Sequence, residues 1–213
     1  MTTSTISTIS IPRLRADFRG EVIGPDDAAY DAARAVFVGG VDRRPAVIVR
    51  VADTSDVQKV IALARETGLP LAVRCGGHSN AGYGVIDGGI VLDLRDLRAL
   101  DIDVESRTAW ADAGLTAGDV TTAAAEHGLA VGFGDTGSVG IGGITLGGGV
   151  GYLVRKQGLT IDALLAADLV TADGEALRVD ADSNPDLFWA IRGGGGNFGV
   201  ATRFQYRLHP VSS

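Results

Sequence analysis

The chain has 213 residues, 46% of them hydrophobic, enough for one domain or two small subdomains with a real core. Lys and Arg number 19 against 26 Asp and Glu, a net charge of -7. That balance excludes nucleic acid and anionic membrane as partners, so a phosphate-bearing ligand would have to be held by backbone N–H groups and local dipoles. The single cysteine, Cys75, excludes an internal disulfide and a multi-cysteine metal site, leaves no metal ligand set to propose, and suits a reducing cytoplasm.

The opening "MTTSTISTIS" lacks the basic start and apolar core of a signal peptide and reads as a mobile tail, with residues 1–40 as a lead-in. "PAVIVRV" (45–51) is a β-branched apolar run and predicts a buried strand. A helix follows, with Ser55 and Gln58 spaced as a capping box and Val57, Val60, Ile61 and Ala64 on one face; Gly68 and Pro70 end it. "LAVR" (71–74) is the next strand, which makes a parallel βαβ unit. The loop from Cys75 therefore leaves the C-terminal edge of a strand, where ligand loops collect.

Three short strands are expected next, in "IVLDL" (90–94), "ALDID" (99–103) and "TAWADAG" (108–114), the last two antiparallel across a tight turn. Thr116 with Asp119 starts a helix that Gly128 ends. Residues 132–151 hold ten glycines in twenty positions, in a chain whose 31 glycines are about twice the usual ~7%. "DALLAADLVTADGEALRVDA" reads as a hairpin with a type I′ turn at Asp173-Gly174. Asn184 caps and Pro185 opens a short helix, and "VATRFQYRLHP" is the last strand. The expected fold is α+β: a small N-terminal βαβ subdomain (about 41–100), then a larger, mainly antiparallel sheet with flanking helices (101–211).

Gly132, Gly134 and Gly137, and again Gly194, Gly196 and Gly199, match G-x-G-x-x-G. The first match precedes "SVGIGGITLGGGVG", which is too rich in glycine and β-branched residues for a helix. The second follows a helix and precedes a strand. Both contexts argue against a nicotinamide dinucleotide fold. What remains is an irregular glycine lining that brings backbone amides close to an extended ligand.

Three blocks carry a resemblance: "LPLAVRCGGHSNAGYGVIDGGIVLDL", "GDTGSVGIGGITLGGGVGYLVRKQGLTIDALLAADLVTADG" and "NPDLFWAIRGGGGNFGV". Together they resemble the PCMH-type FAD-binding domain of the berberine bridge enzyme-like FAD-linked oxidases, in the vanillyl-alcohol oxidase superfamily, over residues 41–211. The resemblance implies FAD bound between the two subdomains and attached through His78 to the flavin 8α-methyl. Arg74, Gly76, Gly77 and Ser79 are the rest of that first block. It also implies that Gly134, Thr136, Gly137, Ser138, Gly142 and Gly143 line the pyrophosphate and ring, with Val200 near the adenosine. Val139 falls where the family controls oxygen access, and Thr136 stands where some members carry a second, cysteinyl link, which implies a single link here. His127 fits a helix-dipole partner and His209 a solvated residue.

Relatives of this kind are about twice as long, and the substrate domain that follows in them is absent from this sequence. The implied activity is an FAD-dependent oxidation of an alcohol or amine small molecule, with oxygen as electron acceptor; no catalytic base is assignable. The alternative is a flavin-binding module without its own turnover, completed by a missing domain, a second copy or a complementary chain.

Overall fold

The computed structural model describes residues 9–211; most of the expected opening tail, residues 1–8, lies outside them. The N-terminal part contains α1 (Ile11–Asp17), β1 (Glu21–Ile23), α2 (Tyr30–Arg34), β2 (Val47–Arg50), α3 (Thr54–Thr67), β3 (Leu71–Arg74) and β4 (Ile90–Asp93). Its sheet runs β1-β2-β4-β3, with β2 and β3 both parallel to β4 and β1 antiparallel to β2. The βαβ unit is thus present with β4 inserted between its strands, and the lead-in supplies β1, the edge strand.

Alternation along these strands divides two apolar layers. Val47, Val49, Ile90 and Leu92 share a cluster with Val57, Val60 and Ile61 of α3 and with the second sheet. Ile48, Val91 and Ala72 face the other way, onto Ile23, Tyr30 and Ala33. Side chains of period two on a sheet covered on both faces account for the near-continuous apolar runs.

The helix start differs from the expected capping box. Asp53 is the N-cap, accepting from the Asp56 amide at 3.0 Å. Asp56 is fully buried and accepts from the Gly20 amide at 2.8 Å, so the helix start also anchors the lead-in. Ser55 lies inside the helix: Asp outcompetes it because its carboxylate both caps and meets the helix dipole.

The second part holds β5 (Leu100–Asp103), β6 (Thr108–Asp112), α4 (Ala117–Ala125), β7 (Leu129–Ala130), α5 (Ile141–Leu146), α6 (Val154–Gln157), β8 (Leu164–Val170), β9 (Ala176–Asp180), α7 (Pro185–Ile191), β10 (Val200–Arg207) and β11 (His209–Pro210). A five-stranded antiparallel sheet of order β5-β6-β10-β8-β9 forms its centre, and β7 pairs with β11. The α+β architecture with flanking helices is as expected. Among the described residues, no helix is long and apolar enough to cross a membrane.

Several local expectations change. The β8–β9 loop closes with Thr171 and Glu175 paired and the Gly174 amide donating to Thr171 O. Only Gly174 has positive φ there, so a three-residue loop with left-handed glycine replaces the type I′ turn. Asn184 occupies the N-cap of α7 without a side-chain cap; its Nδ2 donates to Arg178 O at 2.7 Å instead. His209 is half-buried in β11 rather than fully solvated. Glycine-rich 141–146 does form a helix, because Thr145 Oγ1 pairs with buried Tyr206 Oη at 2.7 Å and Ile141 is in the core. Tertiary contacts override the low propensity.

The capping box of α4 is reciprocal: the Thr116 side chain accepts from the Asp119 amide, and Asp119 accepts from the Thr116 amide at 2.8 Å. Thr116→Ala is expected to cost about 1 kcal/mol of stability by chemical denaturation, and an unchanged midpoint would show the box to be dispensable.

Candidate flavin site

Two loops meet at the C-terminal edge of the parallel sheet. The first, 75–84, leaves β3; the second, 132–140, enters α5. They touch at glycines: a Cβ on Gly76 would run into the Gly140 amide nitrogen and come within 3.0 Å of its Cα, and one on Gly140 would come within 2.8 Å of Cys75 Cβ. The second loop is fixed to α4 by backbone bonds, Ala117 N to Val139 O at 2.9 Å and Gly118 N to Gly137 O at 2.8 Å. Glycine is therefore required at this crossing for close approach. We expect Gly140→Ala to force the loops apart and weaken FAD retention at least ~10-fold by the reasoning that misplacement of a binding element is costly, measured by fluorescence titration; unchanged affinity would remove the crossing from the site.

The amides of Gly76, Gly77, His78, Ser79 and Asn80, and those of Gly134, Asp135, Thr136, Gly137 and Ser138, donate to no protein acceptor among the described residues. Two runs of uncommitted N–H groups brought together at a glycine crossing can receive a pyrophosphate without a basic field. That donor set fits the expected cofactor. A cavity of about 260 Å³ adjoins the second loop, walled among others by Thr121, Gly134, Thr136 and Tyr152. A larger hollow of about 440 Å³ at α1 and β1 contains no residue of either glycine loop, and its cation Arg15 is already paired with Asp27.

His78 is half-buried, and its Nε2 lies 3.2 Å from Ser138 Oγ, which joins the loops through their side chains as well. The Phe37 ring stacks on the imidazole, centroids 4.0 Å apart and 15° between planes. In the second loop Gly134 lies beside Ile144 of α5, where a Cβ on it would stand 4.0 Å from the Val139 side chain, and Gly142 sits against the Cys75 sulfur. Gly143 has open space where a side chain would be. Ser79 accepts from Gly82 N through its carbonyl, shaping the first loop.

Arg74 and Val200 lie outside the two loops. Arg74 is 2% exposed, and its guanidinium points inward to Asp93 Oδ2 at 2.6 Å and Ala33 O at 2.6 Å. Its aliphatic stem runs beneath the first loop, within 3.5 Å of where Cβ atoms of Gly77 and Gly84 would stand. Val200 is buried at the start of β10 opposite Val170. Arg74 thus supports the loop from below, and its charge is satisfied by the protein.

Asp93 gathers three arginines: Arg74, Arg95 at 2.8 Å and Arg50 at 3.9 Å. Burial pulls the Arg74 pKa down while Asp93 pulls it up. Cys75 keeps some accessible surface, yet its sulfur lies against the α5 backbone. Burial, then the Asp93 charge, pushes the thiol up to about 12, against the Gly143 and Gly142 amides. Iodoacetamide near pH 8 is expected to leave Cys75 of the native chain unmodified, because the thiolate is the reactive form; rapid native labelling would contradict this.

Sequence reasoning missed Phe37, Val36, Arg43 and Asp93. Arg43 Nη1 donates to Gly82 O at 2.8 Å and Val85 O at 2.9 Å, so residues 36–43 brace the first loop. No motif signal marks these positions; Phe37 and Arg43 act through contacts about forty residues apart, and Asp93 through one nineteen residues away.

The family model described as FAD binding domain matches residues 45–180. (R)-6-hydroxynicotine oxidase of Paenarthrobacter nicotinovorans is 44% identical over 91% of this chain and 42% of its own length. The solved structure of Physcomitrella patens BBE-like 1 superposes with TM-score 0.92 at 31% identity, covering 96% of this chain and 45% of that one. Glucooligosaccharide oxidase from Acremonium strictum, which carries a 6-S-cysteinyl, 8α-N1-histidyl FAD, gives TM-score 0.86 at 32% identity over 92% of this chain and 42% of that one. The chain spans less than half the length of these proteins. Its fold, its two glycine loops and these matches place it among the berberine bridge enzyme-like FAD-linked oxidases, as a PCMH-type FAD-binding domain.

Proposed function

We propose that the chain holds FAD between its two loops and serves an oxidoreductase that oxidises an alcohol or amine, with oxygen as the final acceptor. The observation that carries this reading is the pair of uncommitted amide runs meeting at Gly76 and Gly140. When bound, FAD accepts a hydride from the substrate and gives up the electrons to oxygen. Gly76, Gly77, Ser79, Gly134, Thr136, Gly137 and Ser138 bind the pyrophosphate and ring, with Gly142 and Gly143 behind them. Val139 keeps an apolar surface for oxygen, Val200 serves the adenosine side, and Arg74 holds the first loop in place.

His78 is the attachment point in this reading. Attachment there would form one bond between an imidazole nitrogen and the flavin 8α carbon at the expense of one C–H and one N–H bond, and dioxygen would take up the two electrons and two protons as hydrogen peroxide. Thr136, in place of a second nucleophile, leaves a single link.

The chain's residues bind and orient; none is assigned the task of taking the substrate proton, which requires a base within ~3 Å. That favours the module reading as second choice, in which turnover needs further polypeptide. Exposed Val150, Tyr152 and Trp189 would then gain cover from a second copy or complementary chain. The discriminating experiment is anaerobic: purified chain with FAD is mixed with amines, alcohols and sugars. Bleaching of the flavin by one donor class supports an oxidoreductase with its own substrate site. Bound flavin that no donor reduces supports the module, and failure to bind FAD overturns both.

A further inference from the structure

We propose that Phe37 is a positioning residue for His78, fixing the imidazole plane while Ser138 holds Nε2 and Nδ1 is left without a protein partner. The inference rests on His78 as the attachment point but is observable without it. The imidazole is held from two directions: Phe37 covers one face at 4.0 Å, and Ser138 Oγ meets Nε2 at 3.2 Å. Among the described residues Nδ1 has no protein partner.

Stability alone does not account for Phe37. It is 65% exposed, so it buries little apolar surface. An exposed phenylalanine lying nearly parallel to a histidine gives orientation, since aromatic pairs favour defined geometries beyond their burial.

Phe37 is itself fixed through a chain of contacts. Its amide donates to Gly77 O at 3.1 Å, pairing the lead-in with the residue before His78. Val36 Cα and Cβ lie 3.7 Å from where a Gly77 Cβ would stand. Arg74 fastens the end of α2 through Ala33 O at 2.6 Å and Ala35 O at 3.4 Å. The lead-in thus reaches His78 from a sequence distance of 41 residues, and Arg74 and Phe37 are two ends of one brace. A histidine in a loop of glycines would otherwise sample many rotamers, and only a fraction of them would present a nitrogen to the ligand.

The test compares wild type with Phe37→Leu, which keeps apolar bulk without the ring, and Phe37→Tyr, which keeps the ring. In flavin-free chain, the His78 ring protons, assigned with His78→Gln, should show the ring-current shift of a stacked neighbour in wild type and Phe37→Tyr. They should lose it in Phe37→Leu while the melting temperature holds. On reconstitution with FAD, the rate at which flavin becomes acid-stable should fall about 10-fold in Phe37→Leu and stay within about 2-fold of wild type in Phe37→Tyr. Identical His78 shifts in all three chains, or equal attachment rates in wild type and Phe37→Leu, would overturn the proposal. If wild type gains no acid-stable flavin, covalent attachment fails and the proton shifts alone decide whether Phe37 orients His78.

Discussion

His78→Ala chain is expected to come out of acid precipitation colourless, with its flavin entirely in the supernatant, while wild type keeps its flavin in the pellet. In the proposed attachment the imidazole is the attacking group within the glycine loops, and the residues around it offer no replacement: Cys75 has its thiol pushed up to about 12 and its sulfur turned to α5, and Thr136 is a weak nucleophile. The backbone amides proposed to receive the pyrophosphate are untouched by the substitution, so noncovalent binding should survive within about 10-fold. Acid-stable flavin in His78→Ala would move the link to another residue. Loss of all binding would give His78 a larger share of affinity than the amide runs.

The largest stability effect is expected from Asp93→Ala. Its carboxylate is 0% exposed and faces Arg74, Arg95 and Arg50, so removal leaves Arg74 buried with only carbonyl partners. Breaking a buried pair from one side costs about 3–5 kcal/mol, a large part of a domain's ~5–15 kcal/mol. Because Arg74 also underlies Gly77 and Gly84, the first loop should loosen with it, and FAD affinity should fall along with the denaturation midpoint. Replacing both partners, Arg74→Met with Asp93→Leu, should recover much of the stability, since an apolar pair of similar volume needs no charge compensation. A single Asp93→Ala with unchanged stability would mean that the cluster is solvated in solution.

The sequence was most informative where the cause is local. Thr116 and Asp119, three residues apart, form their capping box as read, and the near-continuous apolar runs at 47–50 and 90–93 lie in the buried sheet. Ser55 failed as a cap for an equally local reason: Asp53 stands two residues earlier and makes the stronger acceptor. The 173–174 turn was placed correctly but given the wrong type, because dipeptide preference does not count the flanking ladder bonds.

Long-range causes were less legible. Gly76 and Gly140 were separately recognisable as glycine-loop residues, but nothing in either loop states that they pack against each other. Arg74 is legible as part of a motif, but its direction is not: its partners Asp93 and Ala33 lie 19 and 41 residues away. Residues 36–43 carry no pattern at all, though Phe37 and Arg43 brace the loop that the motif marks. Helix α5 formed against its own composition because Tyr206, from the last long strand, holds it.

The most direct test of the account is the visible absorption spectrum of purified wild-type chain, incubated with FAD and then precipitated with acid and redissolved in denaturant. The account predicts a flavin spectrum in the redissolved pellet at close to one flavin per chain, present in wild type and absent from His78→Ala. A chain that stays colourless before precipitation, after prolonged incubation with excess FAD, would contradict flavin binding at the two loops. Flavin bound beforehand but recovered wholly in the acid supernatant would contradict attachment through His78.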